Sequence, residues 1–143
     1  LSEVEHREAG PAMEMCARSV ILSAGLVSLM ADDNYNCALA HAVCYGLQHF
    51  EHVEREYLHG DLVAYGALVQ LAVDGQLDKA RELRSFLVSL GTPVTLAQMR
   101  VPLEKTALHD ALIEATTGPD MAHIPYPVTQ DMVFDAMRRV ETL

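Results

Sequence analysis

Apolar residues recur at helical spacing from Ala12 to Met30, at Met13, Cys16, Val20, Ile21, Ala24, Val27 and Met30. Pro11 stands where the first turn of a helix accepts it. The same rhythm returns downstream between glycine and proline punctuation. "CALAHAVCYGLQHF" reads as a second helix from about Cys37, after a turn at "ADDNYN" (31–36), and "LHGDLVAYGALVQLAVDG" as a third ending near Gly75. "LDKARELRSFLVSLG" is an amphipathic fourth, with Leu77, Ala80, Leu83, Phe86 and Leu87 expected inward and Gly91 and Pro93 stopping it. "LEKTALHDALIEATTG" gives a fifth, closed by Gly118 and Pro119. Prolines 125 and 127 hold "AHIPYPV" extended, and Thr129 is placed to cap a last helix, "QDMVFDAMRRVE". No alternating β-branched run bounded by hairpin turns breaks the series. The expectation is an all-α bundle of about six helices, one domain over residues 1–143.

Composition narrows the function classes. Half the residues are apolar and mean hydropathy is +0.11, which argues against disorder. Twenty acidic residues oppose ten basic ones, a net −10 that repels a phosphate backbone, so nucleic acid is not an expected partner. Three cysteines, Cys16, Cys37 and Cys44, sit in apolar surroundings and suit a reduced, cytoplasmic interior better than a disulfide framework. No basic n-region with an apolar h-region opens the sequence, so a signal peptide is not expected. The most apolar run, "SVILSAGLVSLMA", reads as shorter than a membrane span, so no membrane partner is expected. Leu1 is not a methionine, and the chain reads as beginning within a longer protein.

Most of the chemistry-bearing residues have plain explanations. His49 and His52 lie among Glu51, Glu54 and Glu56 and read as a solvated face; His6 and His109 carry no spacing signal. The methionines read as core filler. His41 and His59 differ, being embedded in small or apolar neighbours where a buried imidazole needs a partner. In one unbroken helix their eighteen-residue separation would span roughly 27 Å, too far for a shared ion. Two readings stay open on spacing alone: satisfied core histidines, or half a metal site on two facing helices. A closed zinc site of Cys37, His41, Cys44 and His59 is a third, minor one.

Four segments bear on that choice. "LAHAVCYGL", "YLHGDLVAYGALVQLAV", "LGTPVTLAQM" and "AHIPYPVTQDMVFDAM" resemble, in order and at plausible intervals, motifs of the glycerol dehydrogenase branch of the iron-containing (group III) alcohol dehydrogenases. The resemblance covers nearly the whole chain and implies the C-terminal helical domain of a dehydroquinate synthase-like/iron-containing alcohol dehydrogenase fold. It implies a divalent metal, usually zinc, held by one Asp and two His. By the matching motifs the histidines are His41 and His59, with a reversal within "FEHVERE". On that pattern Cys44→Ala would hardly affect metal binding.

The departures limit what the chain does by itself. The family's Asp-bearing segment has no counterpart here, and the N-terminal NAD-binding domain is absent, with no G-x-G-x-x-G anywhere. The resemblance therefore implies the metal- and substrate-binding part of an NAD-dependent dehydrogenase of glycerol or another small polyol, with this chain inactive alone. The missing N-terminal domain and a second copy of the chain, in a homo-oligomer, are the partners it implies. A noncatalytic binding or assembly module derived from the family is the alternative. His123 matches a family histidine, with packing as its default role.

Overall fold

The computed structural model describes residues 6–30 and 37–143. These fall into two compact units, Leu1–Asn36 and Cys37–Leu143. All regular structure among the described residues is helical, as expected. The turn expected at 31–36 lies outside the described residues.

The described part of the first unit is dominated by one helix, α1 (Pro11–Met30). It is α-helical over Pro11–Arg18 and Ala24–Met30, with a π-helical turn at Ser19–Ser23 between. Gly10 is extended at its N-terminus and Pro11 occupies the first turn, where the missing N–H costs nothing. None of its residues is buried; Val20, Ile21, Leu29 and Met30 are all exposed. By length and composition α1 is apolar enough to cross a membrane. That corrects the sequence estimate, which measured only the run from Ser19, whereas the helix extends from Pro11 with Glu14 and Arg18 as its ionised residues.

The second unit contains α2 (Leu39–Leu47), α3 (Glu51–Glu56), α4 (His59–Val73), α5 (Leu77–Ser89), α6 (His109–Thr117) and α7 (Gln130–Val140). Helix α4 is the centre: it packs on α2, α5 and α7, while α2 also packs on α6. Its apolar residues run nearly all round, as a helix covered on several sides requires, and Leu62, Tyr65 and Leu68 are wholly buried. Leu47, Met99, Leu112 and Met137 join them in one core.

Two glycines set the helix spacing around α2. A Cβ on Gly66 of α4 would lie 2.1 Å from the Ala40 carbonyl oxygen, and one on Gly46 of α2 would lie 2.5 Å from that of Ala111 on α6. The Gln70 side-chain oxygen accepts the Ala40 N–H at 3.1 Å, satisfying one of the donors left unpaired in the first turn of α2. Gly75 (φ 72°) and Gly91 (φ 76°) take the left-handed conformation where α4 and α5 end. Thr129 caps α7 as expected, its hydroxyl oxygen accepting the Met132 N–H at 3.2 Å.

Some boundaries and packing assignments differ. Helix α6 starts at His109 rather than Leu103; the preceding residues make turns, with the Leu108 N–H bonded to the Glu104 carbonyl at 2.9 Å. Phe86 is 50% exposed, because α5 buries the stripe of Ala80 and Leu87 and Phe86 projects outside it. Met99 and Met137 are core residues, but Met15 and Met30 are exposed.

Candidate metal centre

His41 lies in the first turn of α2, and His59 is the first residue of α4. The chain between them does reverse. Helix α2 stops at Leu47, and Gln48 and His49 close it with turn hydrogen bonds to Cys44 and Gly46. Phe50 is extended, α3 makes a short helix, and Tyr57 and Leu58 are extended again before α4 begins. "FEHVERE" is thus mostly helix, and the direction changes on either side of it. The chain at 98–100 fastens this segment: the His52 Nε2–H donates to the Met99 carbonyl at 3.0 Å and the Tyr57 hydroxyl to the Gln98 carbonyl at 3.0 Å. Arg100 also pairs with Glu56.

The reversal brings the imidazoles of His41 and His59 to a centroid separation of 5.6 Å, tilted by 42°. The Tyr45 ring completes a triangle, 6.4 Å from His41 and 6.1 Å from His59. Beneath His59 the wholly buried Cys44 places its Sγ 3.5 Å from His59 Nδ1 and 3.9 Å from the His59 carbonyl oxygen. Burial pushes the Cys44 thiol up to about 11, so it stays protonated at neutral pH.

Desolvation, and then the neighbouring His59, push the His41 pKa below its ordinary value, while Asp120 opposes them. His41 is therefore held as the neutral imidazole that a metal requires. Asp120 lies at the other edge. Burial first, and then the neighbouring Asp120 carboxylate, raise the Cys37 thiol above its ordinary value. The Tyr45 phenol is raised by burial first, then by Cys37, Asp120 and Cys44.

Among the described residues no group of three or more His, Cys, Asp or Glu side chains stands close enough to hold a metal. The closed Cys37, His41, Cys44 and His59 set does not assemble. The rings of His41 and His59 do come together, 5.6 Å between centroids. His52 is engaged by Met99, and His49, His109 and His123 are exposed. Sequence reasoning missed Tyr45 and Asp120. Tyr45 stood inside the motif that carries His41, whereas Asp120 looked only like part of a helix stop.

No family model matches the chain. Hydroxycarboxylate dehydrogenase A of Escherichia coli is 34% identical over 126 residues, covering 87% of this chain and 34% of the relative. Glycerol dehydrogenase of Thermotoga maritima is 31% identical over 143 residues, covering 96% of this chain and 37% of the relative. Glycolaldehyde reductase of Halobacterium salinarum is 30% identical over 140 residues, again 96% and 37%. An all-helical unit with paired histidines, matched along nearly its full length by these dehydrogenases, makes the chain a member of the iron-containing alcohol dehydrogenase family. It spans about a third of the length of the curated relatives it matches.

Proposed function

We propose that this chain is the metal- and substrate-binding part of an NAD-dependent dehydrogenase acting on a small polyol such as glycerol. The observation that carries the reading is the convergence of His41 and His59 from α2 and α4, 5.6 Å between ring centroids. The Thermotoga relative is a glycerol dehydrogenase and the Halobacterium relative a glycolaldehyde reductase, and both names point to small hydroxylated substrates. The matched third leaves the rest of such an enzyme, including a nicotinamide-binding domain and the third metal ligand, outside this chain. Because the Thermotoga match takes in 96% of the chain, at least most of α1 lies inside it. On this reading α1 is part of a dehydrogenase domain in the cytoplasm rather than a membrane anchor.

His41 and His59 would hold the metal, preferably zinc, for which two neutral imidazoles are suitable ligands. When bound, the ion would lower the pKa of a substrate hydroxyl and stabilise the alkoxide from which hydride leaves. The protein residues do the rest. Both histidines are occupied as ligands, so neither serves as the base. Tyr45, 39% exposed beside both rings, offers a phenol hydroxyl to a substrate oxygen at the open edge.

A zinc titration of the 143-residue chain, followed by calorimetry, tests this. With two protein ligands binding should be weak, and His41→Ala and His59→Ala should each abolish it. Undiminished binding in either variant would overturn the assignment of that residue.

A further inference from the structure

Cys44 has no part in the family pattern that picks out His41 and His59, yet its side chain contacts the His59 imidazole. The thiol is wholly buried, while the imidazole above it is exposed. Two contacts join them: Sγ to Nδ1 at 3.5 Å, and Sγ to the His59 backbone carbonyl at 3.9 Å. A carbonyl oxygen only accepts, so the thiol proton that points towards it leaves a sulfur lone pair facing Nδ1. The complementary arrangement has the imidazole proton on Nδ1, donated to sulfur. The reverse arrangement, S–H donating to an unprotonated Nδ1, would leave the carbonyl without this donor and put the imidazole proton on Nε2.

From this geometry we infer that Cys44 is a positioning residue for His59, fixing its ring as the Nδ1–H tautomer and leaving the Nε2 lone pair free on the far side. A histidine that ligates a metal through one nitrogen commonly donates the other N–H to a nearby acceptor, which sets the tautomer and the ring orientation. Here a buried thiol takes the place of the usual carboxylate or carbonyl. His41 and Cys44 lie three residues apart on α2, so one helix face supplies both a ligand and the support for its partner. The use of the freed Nε2 for metal rests on the function proposed above; the tautomer does not. The expectation that Cys44→Ala would be silent is thereby set aside.

The test separates the two. Nitrogen-15 NMR of the metal-free chain at a pH where His59 is neutral reads the tautomer directly. The native chain should show His59 with its proton on Nδ1. Cys44→Ala should shift it towards the Nε2–H form that exposed imidazoles prefer in water, while Cys44→Ser, which keeps a donor and acceptor, should retain Nδ1–H. Zinc affinity should fall about tenfold in the Ala variant and recover in the Ser variant. An unchanged tautomer in folded Cys44→Ala, or an Nε2–H proton in the native chain or in folded Cys44→Ser, would overturn the inference whatever zinc does. A tautomer that responds as expected in a chain that binds no zinc would support the role of Cys44 and overturn the metal reading alone.

Discussion

Gly66 of α4 crosses α2 so closely at Ala40 that its α-carbon has no room for a methyl group: the added carbon would sit 2.1 Å from the Ala40 carbonyl oxygen. The obstacle is backbone and cannot rotate away. Gly66→Ala should therefore force the two helices apart and lower stability by about 1–3 kcal/mol, measured by urea unfolding. Because α2 and α4 carry His41 and His59, it should also weaken zinc binding. Gly60→Ala is the control, since nothing lies within 4 Å of its added carbon. An equal loss at Gly60 would show that helix crossing is not the cause.

Tyr126 donates its hydroxyl to the Asp74 carboxylate, tying the linker before α7, which turns at Ala122–His123 and bends at Pro125–Tyr126 rather than running extended as expected, to the end of α4. That hydrogen bond, then burial and the carboxylate charge, raise the phenol pKa to about 12 from 10.0. The folded state thus favours the protonated phenol. Its stabilising contribution is full below pH 10 and is lost as pH rises towards 12. Tyr126→Phe should cost about 1 kcal/mol at neutral pH, a value reduced by the exposure of the pair, and should remove this component of the alkaline loss. Thermal unfolding across pH 7–12 measures both effects.

The chain should not bind NAD. It has no G-x-G-x-x-G turn, and its described residues supply no strand to lead into one. Calorimetric titration with NAD should show no saturable heat, and the chain alone should not oxidise glycerol. Micromolar binding would contradict the division of labour proposed here.

The chain should self-associate. Val20, Ile21, Leu29 and Met30 of α1 are each more than half exposed, a run of apolar surface that water does not favour. Sedimentation across a wide concentration range should show a dimer or larger species, and Ile21→Glu should shift it towards monomer. A monomer throughout would show that this surface needs no covering.

The helical series was legible because its signals are local: Pro11, Gly75, Gly91 and Thr129 act within one turn of the positions they end or begin. The spacing power of Gly46 and Gly66 depends on the helices they meet, which lie far off in sequence. The breaks around α3 were less visible. "FEHVERE" favours helix and is helix, and the reversal at its two ends is held by bonds from Met99, Gln98 and Arg100, distant in sequence. Phe86 was misplaced because an apolar residue at the edge of a stripe does not reveal how wide its neighbour's face is. Asp120 reaches the site only through the packing of its turn against α2.

The two imidazoles belong to α2 and α4, which are joined by eleven residues, 48–58, that include the short helix α3. Closing so short a loop costs little entropy compared with joining distant parts of a chain. The pair can therefore come together while the polypeptide is still emerging from the ribosome, before α7 exists to fill the far side of α4. The 98–100 turn, further along the chain, braces the segment between the two helices. A pairing made by so local a connection depends little on what precedes and follows the hairpin.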